Sequence, residues 1–150
     1  MNKRSELGKL GEDIACRYLV ENNFQIIERN FREPWGEIDI VAKDKDKTLV
    51  FVEVKTVSQL TQATQDIDSQ ISAEDQLTQS KLQKLQKTAS LYVGHYPELV
   101  NDDFGWQIDL VAITLIKGIN FELTEEISEE LAELLTTNGK KYVIKHYKNI

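Results

Sequence analysis

Apolar residues recur at helical spacing near the start of the chain: Leu7, Leu10, Ile14, Tyr18 and, on the flank, Leu19. The period predicts an amphipathic helix over residues 5–22 with Ser5 as its N-cap. Gly8 and Gly11 fall inside its first turns, each costing about 1 kcal/mol against alanine. They imply either a close backbone approach or a frayed start. Asn22-Asn23 ends the helix, Phe24–Arg29 reads as a short strand, and Pro34-Trp35-Gly36 as a turn. The period then falls to two. Glu37–Ala42 and Leu49–Lys55 are strands joined by the polar run 43–48, a hairpin signature. Residues 56–78, rich in Gln, Thr, Ser and Asp, predict a mobile loop. Helical spacing returns from Gln76 to Tyr92 through Leu77, Leu82, Leu85, Ala89 and Tyr92. Phe104–Leu115 is a long strand, Ile119–Leu123 another, Ile127–Leu135 an acidic helix, and Tyr142–Tyr147 a last strand or short helix. This order predicts a mixed α/β sandwich.

The hairpin constrains its own register. Alternation puts Glu37, Asp39 and Val41 on one face, with Ile38, Ile40 and Ala42 on the other. In the second strand Leu49, Phe51, Glu53 and Lys55 share a face opposite Val50, Val52 and Val54. Apolar side chains meet apolar partners if Ile40 faces Val52, Ala42 faces Val50 and Ile38 faces Val54; a slip of one residue destroys the match. That register sets Asp39 across from Glu53 and Glu37 across from Lys55. Two carboxylates so placed repel by up to about 1 kcal/mol and call for a cation, a shared proton or water. A hard divalent ion such as Mg²⁺ or Mn²⁺, taking two carboxylates, a backbone carbonyl and water, answers that need. Lys55, on the same face as Glu53, could orient a nucleophile or offset developing charge. Taken alone, Glu-x-Lys at a strand end is more often a polar edge.

Composition narrows the setting. The net charge of −7 speaks against coating nucleic acid through an overall field. Residues 101–150 hold 9 acidic against 5 basic side chains, so most of the excess lies late and basic surface can form earlier. No apolar run approaches a membrane span, and the N-terminus has no uninterrupted apolar core, which predicts a cytoplasmic protein without a secretory leader. The single cysteine, Cys16, excludes an intramolecular disulfide and a cysteine-clustered zinc site, and is expected to be a buried small hydrophobe.

Four motifs stand in order: Gly11-Glu12-Asp-Ile-Ala15, Arg29-Asn-Phe-Arg32, Gly36-Glu-Ile-Asp39 and Phe51-Val-Glu-Val-Lys55. Together they resemble the small bacterial YraN family, similar in turn to archaeal Holliday-junction resolvases within the PD-(D/E)-x-K superfamily. The resemblance covers residues 6–116. It implies a restriction-endonuclease-like three-layer sandwich, a central mixed β-sheet flanked by helices, over residues 1–116. Residues 117–150 would then be an extension packed on the same domain. It implies an endonuclease hydrolysing phosphodiester bonds in DNA, branched DNA included, with Mg²⁺ or Mn²⁺ as cofactor. Asp39 and Glu53 would be metal ligands, Val54 would offer its carbonyl, Lys55 would be the catalytic lysine, and Glu12 an auxiliary acid. Homodimers among the junction-cutting relatives make a homodimer the analogous expectation. Three features depart from the pattern. Thr56-Val57 replaces an arginine expected after the lysine, the linker before the second helix is long and polar, and Gln107-Ile-Asp109 stands where an Arg-Phe-Asp type is usual.

Other residues admit two readings. Lys81, Lys84 and Lys87 make a basic stripe that could follow a phosphate backbone, or simply a solvated helix face. Arg29 and Arg32 are phosphate candidates, with ion pairs to Glu28 or Glu33 as the alternative. Trp35 could stack on a base or staple a turn. Asp109 reads as structural or as a support for residues of the site, while His95 and His146 look isolated. A non-catalytic nucleic-acid-binding or protein-interaction module that keeps the nuclease fold is the competing function.

Overall fold

A computed structural model describes residues 3–58, 77–115 and 142–150. The predicted strand 119–123, the predicted helix 127–135 and most of the polar stretch 56–78 lie outside these residues. The described elements are α1 (Lys3–Glu21), β1 (Gln25–Glu33), β2 (Gly36–Lys43), β3 (Leu49–Ser58), α2 (Gln79–His95), β4 (Trp106–Leu115) and β5 (Tyr142–Tyr147), with a 3-10 turn at Pro97–Leu99. Helix α1 already runs at Ser5, so Ser5 is not its N-cap. At the far end the left-handed Asn23 (φ 68°) releases the chain, a conformation asparagine tolerates better than most residues. Helix α2 starts at Thr78, whose hydroxyl accepts from the Lys81 N–H at 3.2 Å.

The five strands stand in the order β1-β2-β3-β4-β5. All neighbours are antiparallel except β3 and β4, which run parallel over their full length. The sheet is therefore mixed, and the ambiguous last segment is a strand. Helix α1 covers one face, packing Leu10, Ile14, Ala15 and Leu19 on Ile40, Ala42, Val50, Val52, Val111 and Ile113. Helix α2 covers the other, packing Leu85, Ala89 and Tyr92 on Phe31, Val41, Leu49, Phe51 and Ile108. This is a three-layer α/β sandwich. Phe104, expected to begin β4, lies outside it and is largely exposed. Cys16 is half-buried against the α1 cluster, less enclosed than expected.

The β2–β3 ladder pairs Ile40 with Val52, Val41 with Phe51 and Ala42 with Val50, the register that apolar matching requires. Its turn is organised by Asp44, whose carboxylate accepts from the N–H groups of Asp46 (2.9 Å) and Thr48 (3.0 Å). Beyond Ile40 the expected pattern changes. Ile38 packs with Phe31 under α2, whereas Val54 packs under α1, so these two side chains do not meet. Glu37 pairs with Arg32 of β1, and the β2–β3 ladder ends at Ile40–Val52, short of the expected Glu37–Lys55 pair. The Val54 N–H is taken at 2.8 Å by the Asp39 carboxylate. Alternation in β2 thus breaks at Asp39, where a side chain replaces a main-chain acceptor.

Candidate active site

Where the ladder opens, Asp39 and Glu53 line a groove of about 620 Å³. Its rim is the β1–β2 turn, with Trp35, Gly36 and Glu37, and its far wall is α2, with Lys81, Lys84, Lys87 and Thr88. Close packing at Gly36 brings the turn against that wall: a Cβ there would overlap the Thr88 hydroxyl and lie 2.8 Å from Thr88 Cβ. A side chain at position 36 would force the helix outward. The glycine is required by contact.

The two carboxylates are coupled. The Asp39 pKa is raised to about 7, first by burial and then by the Glu53 charge, with a side-chain hydrogen bond to Glu53 adding to the rise and the Val54 N–H and Lys55 working against it. Lys55 Nζ lies 3.2 Å from Glu53 Oε1, both side chains being about one-fifth exposed. Glu12 arrives from α1 on the opposite side of the sheet. Its pKa is also raised to about 7, first by burial and then by the Asp39 charge, with Arg29 and Arg32 acting against it. The helix comes this close because Gly11 packs on Thr56 of β3; a Cβ at Gly11 would overlap the Thr56 hydroxyl and stand 2.8 Å from its Cβ. Gly8 meets nothing within 4 Å, so close approach explains only one of the two glycines.

An oxygen-ligand cation fits this donor set. Asp39 and Glu53 are hard oxygen donors held close enough to share a hydrogen bond, and the polypeptide supplies one lysine against their two charges. Among the described residues no three Asp, Glu, His or Cys side chains converge on one point. An ion here would rest on the Asp39–Glu53 pair, the adjacent main chain at Val54, and water.

Other predicted residues are distributed unevenly. Lys81 and Lys84 line the groove, and Lys87 joins them. Arg29 donates to Asp13 at 2.6 Å, tying β1 to α1. An ion pair was the alternative reading of this residue, and its partner is neither Glu28 nor Glu33 but a residue sixteen positions away on another element. Arg32 is exposed on β1 and its charge reaches Glu12. Glu37 lines the groove beside Asp39. His146 is not isolated. Its Nε2 donates to fully buried Asp109 at 2.7 Å, and Tyr18 Oη lies 3.0 Å from its Nδ1. His95 stacks on Trp35 with ring centroids 5.3 Å apart.

A family model described as the uncharacterised protein family UPF0102 matches residues 11–113. The chain belongs to this family. It is the YraN family named from the motifs above. The UPF0102 protein of Francisella tularensis subsp. novicida (strain U112) is 43% identical over 109 residues, which is 72% of this chain and 84% of that relative. A UPF0102 protein of Campylobacter concisus (strain 13826) is 40% identical over 121 residues, 81% of this chain and 92% of its own length. The UPF0102 match spans Glu12, Arg29, Arg32, Asp39, Glu53, Lys55, Lys81 and Lys84, and ends before β5.

Proposed function

We propose that the protein is a divalent-metal-dependent endonuclease that hydrolyses phosphodiester bonds in DNA, branched DNA among its substrates, and that it acts in the cytoplasm. The observation that carries this reading is the opened β2–β3 ladder. There the Asp39 and Glu53 carboxylates share a groove floor, Lys55 stands 3.2 Å from Glu53, and a lysine-bearing helix forms the facing wall. Among the described residues no helix is long and apolar enough to cross a membrane.

Asp39, Glu53 and the Val54 carbonyl would hold Mg²⁺ or Mn²⁺, which when bound supplies Lewis acidity for water and for phosphate charge. The chain's own groups do the rest. Asp39 is held in place because one of its oxygens is engaged by the Val54 N–H. Lys55 balances Glu53 before reaction and is free to turn its charge toward a phosphoryl oxygen as negative charge develops. Glu12, protonated near neutrality by burial and by Asp39, can exchange a proton at its carboxyl oxygen. Lys81 and Lys84 would meet the flanking phosphates, with Arg32 outside the groove as a further contact. By analogy with junction-cutting proteins, the working unit is a homodimer.

The deciding experiment is Mn²⁺ titration by calorimetry on wild type and Glu53→Gln, run beside cleavage of duplex and branched DNA. Saturable binding and cleavage that both disappear in the variant are expected. No Mn²⁺ binding by the wild-type protein would sink the proposal.

A further inference from the structure

The groove contains more than a carboxylate pair requires. Helix α2 presents lysines at three successive third positions, Lys81, Lys84 and Lys87, all lining it. At 1.5 Å per residue they span about 9 Å of helix axis, the rise of two to three nucleotides at about 3.4 Å each along one strand. At the rim stands Trp35, in a two-residue hairpin turn closed by the Glu33–Gly36 pair, a place where Gly, Asn or Asp is usual. The indole is half-buried and in contact with two other rings. His95 stacks on it at 5.3 Å with 13° between planes, and Phe31 leans on it at 5.3 Å and 55°. A large ring fixed in this way, bordering a lysine-walled groove, is a stacking platform in a defined orientation.

We propose that Trp35 and the α2 lysines form a track for one unpaired DNA strand, with Lys84 and Lys87 on its phosphates and the Trp35 indole under a base. Within a duplex each base is already stacked on its neighbours and turned inward. An aromatic platform at the groove rim therefore selects a strand whose bases are open, as at a branch, flap or frayed end. The groove's own formal charges explain how the strand is placed. Glu37, Asp39 and Glu53 cancel the three lysines overall, so attraction for phosphate is confined to the α2 wall, and the acid pair repels it until a cation neutralises that pair. The proposal takes the position of the cleaved bond from the nuclease reading above, but the binding it describes requires no hydrolysis.

The chain has two tryptophans, so Trp106→Phe leaves Trp35 as the sole emitter. In that background with Glu53→Gln, short oligothymidylate should quench Trp35 emission saturably. A duplex of equal length should bind about tenfold more weakly or worse. Lys84→Gln with Lys87→Gln should lower the slope of log affinity against log salt by about 1.4, the value for two phosphates of a single strand. Trp35→Leu, read by anisotropy of a labelled oligothymidylate, should lose about tenfold in affinity while keeping that slope. Circular dichroism checks that each variant is folded. An unquenched Trp35 at saturating strand, or duplex bound as tightly as single strand, overturns the track. Wild-type cleavage without dependence on Trp35, Lys84 and Lys87 overturns the track alone. Quenching without Mn²⁺ binding or cleavage by wild type overturns the nuclease reading alone.

Discussion

Asp39 concentrates the physics of this protein in one side chain. Burial and Glu53 raise its pKa to about 7, while the Val54 N–H limits the rise. Glu12 is raised to about 7 by burial and by Asp39. Both acids bind a proton more tightly folded than unfolded. Their contribution is therefore complete below the unfolded carboxylate range, near pH 4, and is lost as pH rises through about 7. Metal-free protein should show a falling denaturant midpoint across that window, and saturating Mn²⁺ should flatten the fall. Glu53→Gln removes the second-largest cause of the Asp39 shift, the largest being burial, and should stabilise metal-free protein at mildly alkaline pH by about 1 kcal/mol. A midpoint that does not move with pH would show that the pair is solvated. Lys55 carries a separate expectation. Lys55→Met should lower cleavage by about 10²–10³-fold, as loss of one charge-stabilising donor does, with Mn²⁺ affinity retained; loss of metal together with activity would reassign the lysine to holding Glu53.

At the scale of elements, one glycine decides how closely α1 approaches the sheet. Gly11→Ala gains about 1 kcal/mol in helix propensity but drives a methyl into Thr56. Overpacking of that kind costs about 1–3 kcal/mol, so the net change should be destabilising and should be relieved in part by Thr56→Ala. Gly8→Ala, in open space on the same helix, should stabilise by up to about 1 kcal/mol. Urea midpoints of the two variants should move in opposite directions, and equal gains would mean that α1 does not pack on Thr56. The sequence could announce both glycines but not rank them, because the difference lies in a contact with a residue 45 positions away. The same limit recurs elsewhere. Apolar matching between Ile40 and Val52, a local and strongly driven pattern, was readable in full. The break at Asp39 was not, since it depends on a carboxylate competing with the main chain for the Val54 N–H. The ion pair of Arg29 was legible only in kind, since Glu28 and Glu33 are near neighbours in sequence whereas Asp13 lies across the layers.

The molecule as a whole is closed by a strand beyond the family match. β5 completes the sheet against β4, and its His146 joins Asp109 of β4 to Tyr18 of α1 through a buried chain of hydrogen bonds at 2.7 and 3.0 Å. Asp109 also accepts from Gln107 Nε2 at 2.8 Å and from the Asn149 N–H at 2.9 Å, so one fully buried carboxylate fastens β4, β5 and the C-terminal turn. No isolated histidine in a sequence reveals this, since its two hydrogen-bond partners come from two distant segments. The chain lies on the α1 side of the sheet, away from the groove. Its loss should therefore be structural. His146→Ala strands a buried carboxylate with two neutral donors and should cost about 3–5 kcal/mol, a large share of the 5–15 kcal/mol typical of a domain. Tyr18→Phe removes only the outer hydrogen bond and should cost about 1 kcal/mol. Under conditions where each variant stays folded, Mn²⁺ affinity measured by calorimetry should match wild type. A Mn²⁺ affinity that falls in Tyr18→Phe, with its midpoint barely changed, would instead couple this buried chain to the carboxylate pair through the sheet.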